Sequence, residues 1–185
     1  MSFFQRLFGK QTTSAVSNEN YTEPRSGLVF PIQLGGLKRS AFGRPYAEGE
    51  RAGVSIPYGN ETAQATIYVT TVQAADFPDG GESDFIRDQL ENAISAVREM
   101  ERMGKYQAVK YFSAEPQMLG TAPGNLVWAR TAFFTTFNGR PMMSFTYLTA
   151  LRSLVIKLRL SCPSPKDKSI GEFPIALGDL ISGQR

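Results

Sequence analysis

Histidine is absent from the 185 residues. Its absence removes together the commonest general base near neutral pH, the Ser-His and Cys-His nucleophile pairs and the usual zinc ligand sets. Cysteine occurs once, as Cys162, so no internal disulfide framework exists and a reducing, cytoplasmic setting is the expectation. No apolar run approaches the roughly 18 residues that a membrane-spanning helix needs. No tract of like charge stands out either: 20 basic and 17 acidic residues leave a net charge of +3 spread along the chain, which gives no electrostatic footprint for nucleic acid. Internal repeats are lacking too. What remains is ordinary globular material in a length that suits one domain, able to bury about 70% of its unfolded-chain surface.

The strongest local signal is Asn138-Gly139, set between two runs rich in β-branched and aromatic residues. A tight type I′ hairpin needs positive φ at both central residues, which Asn and Gly tolerate. Counting back from that turn places Phe134 opposite Met143, Ala132 opposite Phe145, Arg130 opposite Tyr147 and Trp128 opposite Thr149. The next run alternates, and any even-numbered loop through Leu151-Arg152 brings Leu154, Ile156, Leu158 and Leu160 onto the same side. A three-strand meander from Leu126 to Ser161 with one apolar face is therefore predicted. Its reverse carries Thr131, Thr135, Ser144, Thr146, Lys157 and Arg159 among Phe133, Phe137 and Val155. A mixed surface of that kind suits a sheet face that is partly solvated or covered by a short element.

Along the rest of the chain, Phe3, Phe4, Leu7 and Phe8 share one helical face. The segment lacks the long apolar core and small-residue cleavage site of a signal peptide, so export by that route is not expected. It reads as either a frayed terminus or a short amphipathic foot for a membrane surface or a partner groove. Gln11 to Arg25 is polar and reads as a linker. The domain division is thus 1–26, an amphipathic segment with its linker, and 27–185, one α+β domain. Leu28-Val29-Phe30-Pro31 suggests a short edge strand, and Leu37 to Tyr46 a further strand entered through Gly35-Gly36. Those glycines read as a turn, since the spacing, lysine and helix of a phosphate cradle are missing. Alternation at Ala52, Val54, Ile56 and Tyr58, and again at Ala63, Ala65, Ile67 and Val69, predicts a second hairpin. Ser83 is a plausible N-cap for a helix whose apolar positions Ile86, Leu90, Ala93, Ile94, Val97 and Met100 end before Gly104, a run of about five turns. A strand follows at Tyr106 to Phe112, and a terminal helix is expected over Glu172 to Ile181 with Pro174 in its first turn.

The predicted fold class is α+β, a twisted, mainly antiparallel sheet packed with one long helix and a short C-terminal helix in an α/β/α sandwich. The segments Leu28-Val29-Phe30-Pro31 and Thr66-Ile67-Tyr68-Val69, the helix from Ser83 and the run Leu154 to Leu160 before a terminal helix together span roughly residues 27 to 182. In that order they resemble the PsbP-like fold superfamily, which includes extrinsic photosystem subunits, a Ran-binding nuclear-import factor and bacterial envelope proteins. The resemblance implies a non-catalytic binding or assembly module and carries no functional residue across. A cystatin-like sheet wrapped on one long helix is the competing architecture.

The candidate binding residues follow from the register. Arg130 falls on the apolar face opposite Tyr147 and next but one to Trp128, and a buried guanidinium requires a carboxylate, an aromatic ring or a bound anion. Trp128, Arg130 and Tyr147 are therefore expected either to line a ligand or partner pocket at the sheet edge, or to include an edge arginine whose head reaches water. Lys157 and Arg159, with Thr146 and Ser144, offer an anion patch or a solvated strand face. The acidic stretch from Asp76 to Asp84 lacks the ligand spacing of a calcium loop, so no metal is assigned. Cys162 has no base beside it, and Asn60-Glu61-Thr62 matches a glycosylation acceptor without an export signal. No catalytic residue and no cofactor is assigned. The functional expectation is a non-catalytic binding or assembly factor with a protein partner, reaching a membrane surface or a larger complex through Phe3, Phe4, Leu7 and Phe8, and no nucleic-acid partner. The alternative is a small-molecule-binding domain or an enzyme with a histidine-free site.

Overall fold

The computed structural model describes residues 19–48, 51–72, 78–112, 116–121, 125–164 and 166–184. In chain order its elements are β1 (Tyr21–Thr22), β2 (Val29–Phe30), β3 (Gln33–Leu34), β4 (Leu37–Arg39), β5 (Arg44–Glu48), β6 (Arg51–Gly59), β7 (Gln64–Thr71), α1 (Asp84–Arg102), β8 (Gln107–Phe112), β9 (Gln117–Met118), β10 (Val127–Phe137), β11 (Arg140–Leu151), β12 (Leu154–Cys162) and α2 (Ser169–Ser182). Ten strands form one sheet in the order β3-β4-β6-β7-β12-β11-β10-β8, with β5 alongside β6 and β9 alongside β10, while β1 and β2 make a separate two-stranded ladder. Every ladder among the described residues is antiparallel. The chain leaves β7 near the middle of the sheet, crosses as α1 to β8 at the far edge, and the meander β10-β11-β12 then fills the gap.

The meander is as the sequence predicts. Asn138 and Gly139 both have positive φ, 50° and 74°, and Phe134, Ala132 and Arg130 lie opposite Met143, Phe145 and Tyr147. That ladder runs to Ala129 opposite Leu148, and Trp128, expected to face Thr149, pairs on its other side with Gln117. The second turn contains Arg152 and Ser153, both in the left-handed region. Non-glycine residues are strained there, and the site is held from outside: Asp79 Oδ1 accepts from the Arg152 amide at 2.8 Å, and the Val72 amide donates to the Ser153 carbonyl at 3.0 Å.

The two described helices cover opposite faces of the sheet. The short α2 seals the apolar face, with Phe173, Leu177 and Ile181 fully buried against Ile56, Tyr58, Leu158 and the rest of the larger core. The long α1 lies on the mixed face, expected from the sequence to be partly solvated or covered by a short element. Its Ile86, Leu90 and Ile94 pack on Ala129, Leu148, Ala150 and Val155. Residue polarity hides this surface, because the buried half of the face is built from alanines and isolated aliphatics between threonines. Ser83 caps α1, its Oγ accepting from the Ile86 amide at 3.3 Å, and Gly104 at φ 69° ends it.

Three further boundaries differ from expectation. The strand predicted over Leu37 to Tyr46 is two strands, because Pro57 of β6 accepts from the Ser40 amide at 3.0 Å but has no N–H to return, so the ladder breaks between β4 and β5. The terminal helix begins at Ser169, which moves Pro174 from its first turn into its second. Part of the segment read as linker is built into the fold: Tyr21 pairs with Phe30, and the Glu23 carboxylate closes a turn by accepting from the Ser26 amide and hydroxyl, each at 2.6 Å.

Candidate functional site

Because β12 sends Leu154, Ile156, Leu158 and Leu160 into the larger core, its alternate residues Val155, Lys157 and Arg159 face the other way. Val155 is buried under α1. Farther along, the facing helix positions are Ala93 and Ala96, and two methyl groups cannot fill the space that Ile86 and Leu90 fill toward the helix start. A cleft of about 260 Å³ remains between helix and sheet. Its helix wall is Asn92, Ala93, Ala96, Val97 and Met100, and its sheet wall is Tyr68, Phe133, Thr146, Lys157 and Arg159, with Tyr106 also lining it.

The polar side of the cleft is assembled from three neighbouring strands and one loop. Lys157 sits opposite Tyr68 in the β7–β12 ladder, its Nζ 5.1 Å from the centre of that ring. Arg159 sits opposite Thr146 in the β11–β12 ladder. Tyr106 arrives from the end of α1, where the Lys105 and Tyr106 amides both donate to the Met100 carbonyl and fold the chain back. Its ring packs tilted against Phe133 and edge-on against Phe137, at 5.8 and 5.7 Å between centroids, and its hydroxyl accepts from Arg159 Nη2 at 2.6 Å. A phenol that accepts from a guanidinium keeps its own proton for a further acceptor. The eleven described lining residues thus include two cations, three hydroxyls and an amide, and no carboxylate. The arrangement suits an oxyanion placed beside an apolar wall.

The residues singled out by the register argument lie elsewhere. Trp128 and Tyr147 are buried in the larger core with 0% and 3% exposure, beside Leu119 and Leu126. Arg130 is half-buried, with its guanidinium carbon 5.5 Å from the Phe145 ring centre and 5.8 Å from that of Tyr147. Burial pushes the Tyr147 hydroxyl above its ordinary value, and the Arg130 charge opposes that rise. Arg130 also reaches a second cavity of about 300 Å³ at the sheet edge, with Glu82, Arg87 and Leu90. Trp128 and Tyr147 do not line it, so the three residues are neighbours but share no described pocket. Phe3, Phe4, Leu7 and Phe8 lie outside the described residues.

Of the four residues read as an anion patch or a solvated strand face, Thr146, Lys157 and Arg159 line the cleft, while Ser144 hydrogen-bonds Ser161 at 3.0 Å. Sequence reasoning missed Tyr68, Tyr106 and the alanine gap in α1. The signal available was the pair Ala93 and Ala96 on a helix whose other core positions are large. Gly35 and Gly36 form the β3–β4 turn, both with positive φ, and the groove of about 700 Å³ beside them lies between two turn tips. Cys162 is fully buried, its thiol donates to the Ser164 carbonyl at 3.3 Å, and burial pushes it up to about 11. Among the described residues no three potential metal ligands cluster, and no helix is long and apolar enough to cross a membrane. No family model matches this chain, and no curated protein matches its sequence.

Proposed function

We propose that this chain is a non-catalytic binding module that holds its ligand in the cleft between α1 and the sheet. The observation that carries the reading is the opposition, across one cavity, of an apolar helix wall and a sheet wall bearing Lys157, Arg159 and the Tyr68 and Tyr106 hydroxyls. Recognition sites combine those two surfaces: apolar contact for affinity and a few convergent polar groups for orientation. Turnover near neutral pH would need a base. The chain contains no histidine, the side chain that most often serves as that base, which favours binding over reaction. The resemblance to the PsbP-like superfamily implies a binding or assembly module and supports the same conclusion. In this reading the segment bearing Phe3, Phe4, Leu7 and Phe8 brings the domain to a protein partner or a membrane surface.

The test is amide NMR of isotopically labelled full-length protein mixed with fractions of host-cell extract. Perturbed signals should cluster at Tyr68, Asn92, Ala96 and Arg159. They should vanish in Ala96→Trp, which fills the cleft from an exposed helix position without disturbing the fold, as judged by circular dichroism. Perturbations that map elsewhere, or that survive in Ala96→Trp, would refute the cleft as the binding site.

A further inference from the structure

We infer that the cleft takes a small amphipathic oxyanion, with its head between Lys157, Arg159 and the Tyr106 hydroxyl and its apolar body along Ala93, Ala96 and Met100. This inference rests on the binding-module reading and adds the chemical class of the ligand.

Three observations carry it. The first is the state of the Tyr106 hydroxyl: with one lone pair taken by Arg159 Nη2, its proton is directed to an acceptor other than Arg159. The guanidinium has five N–H donors, so this one bond leaves it able to meet a planar head with two oxygens. The second is the lining itself, whose described residues bring the side chains of Lys157 and Arg159 to one wall. That charge favours an oxyanion head over a cationic one. The third is size. A volume of about 260 Å³ equals that of about nine water molecules, which accommodates a head and a chain of roughly six to eight carbons. The methyl groups of Ala93 and Ala96 and the flexible thioether of Met100 give that chain an apolar track.

The experiment titrates labelled full-length protein with octanoate, octyl phosphate and 1-octanol, followed by amide NMR. Saturable shifts at Asn92, Ala93, Ala96 and Tyr106 are expected with at least one of the two anions. The neutral alcohol should bind at least about tenfold more weakly, since it forfeits the charge-assisted bonds. Lys157→Gln and Arg159→Gln should each weaken the anion about tenfold and leave the alcohol unchanged, and Arg159→Lys should recover part of the loss. The ratio of the two anions identifies the head as carboxylate or phosphate ester. Alcohol binding that equals anion binding and is blocked by Ala96→Trp overturns the oxyanion head and leaves the binding module standing. The oxyanion head is likewise overturned, and the module retained, when host extract perturbs the cleft and neither anion does. If neither the probes nor the extract perturbs the cleft, both fail.

Discussion

Arg39 shows how much one residue can organise. It is fully buried, yet no alternation or motif marks it as different from the other arginines. Its Nη1 donates to the Phe30 carbonyl and its Nη2 to the Glu19 carbonyl, each at 2.5 Å, and its guanidinium carbon lies within 5.9 Å of the Tyr21 and Phe42 ring centres. The cation therefore ties the start of the described chain to the sheet. Arg39→Ala would orphan the buried Phe30 carbonyl, costing about 1–3 kcal/mol, and open a cavity, costing about 2–5 kcal/mol, so a loss of about 3 kcal/mol or more is expected in urea unfolding. Arg39→Met, which keeps the volume, should lose less; equal losses would mean that hydrogen bonding and not packing holds the segment. Nearby, burial pushes the Tyr58 hydroxyl from 10.0 up to about 12, with Arg39 opposing it, and pushes the Cys162 thiol from 9.0 up to about 11. Both groups are neutral when protonated and titrate later in the folded chain than in the unfolded one. Their contribution to stability is thus complete below about pH 9 and is lost as the pH rises through about 11 and 12. Urea midpoints should hold steady from neutral pH to about 9 and then fall, with a shallower fall in Tyr58→Phe. A midpoint unchanged up to pH 12 would contradict the burial of both groups.

At the scale of elements, the two meander turns are an internal comparison. Asn138-Gly139 has residues suited to its backbone, whereas Arg152-Ser153 places two ordinary side chains at φ 48° and 63°. Each left-handed non-glycine residue costs about 1–2 kcal/mol. Replacing Arg152-Ser153 by Asn-Gly should therefore raise stability by about 1 kcal/mol, because the bonds from Asp79 and Val72 involve backbone atoms that the substitution keeps. A midpoint that falls would mean that the Arg152 side chain matters more than its conformation. Gly178 in α2 is the opposite case. Alanine improves helix propensity by about 1 kcal/mol, but a Cβ there would lie 2.5 Å from the carbonyl carbon and oxygen of Leu119. Backbone cannot yield as a side-chain end does, and Asp179 pins the same loop by accepting from the Thr121 amide at 2.7 Å and Asn125 Nδ2 at 3.0 Å. Overpacking costs about 1–3 kcal/mol, so Gly178→Ala should destabilise by up to about 2 kcal/mol net, the contact outweighing the propensity.

For the whole molecule, α2 is the lid of the larger core. A chain ending at residue 165 should lose cooperative unfolding and bind hydrophobic dyes, because Phe173, Leu177 and Ile181 no longer cover Tyr58 and Leu158. Deleting residues 1–12 should abolish co-sedimentation with vesicles or recovery of a partner; unchanged recovery would remove the proposed docking role. The sequence by itself determined the elements whose side chains repeat at a backbone period: the meander and its register, the second hairpin, the capped helix, and the identity of Lys157 and Arg159 as a pair on one strand face. Periodicity says which residues share a side and is silent on what lies above that side. Only the tertiary structure decided that the long helix takes the mixed face and the short one the apolar face, that Arg39 is buried, and that Ala93 and Ala96 stand over Lys157 and Arg159 with Tyr106 folded in beside them. Those outcomes depend on how volumes fill between distant segments, and a cavity is a property of facing surfaces that neither segment carries in its own sequence.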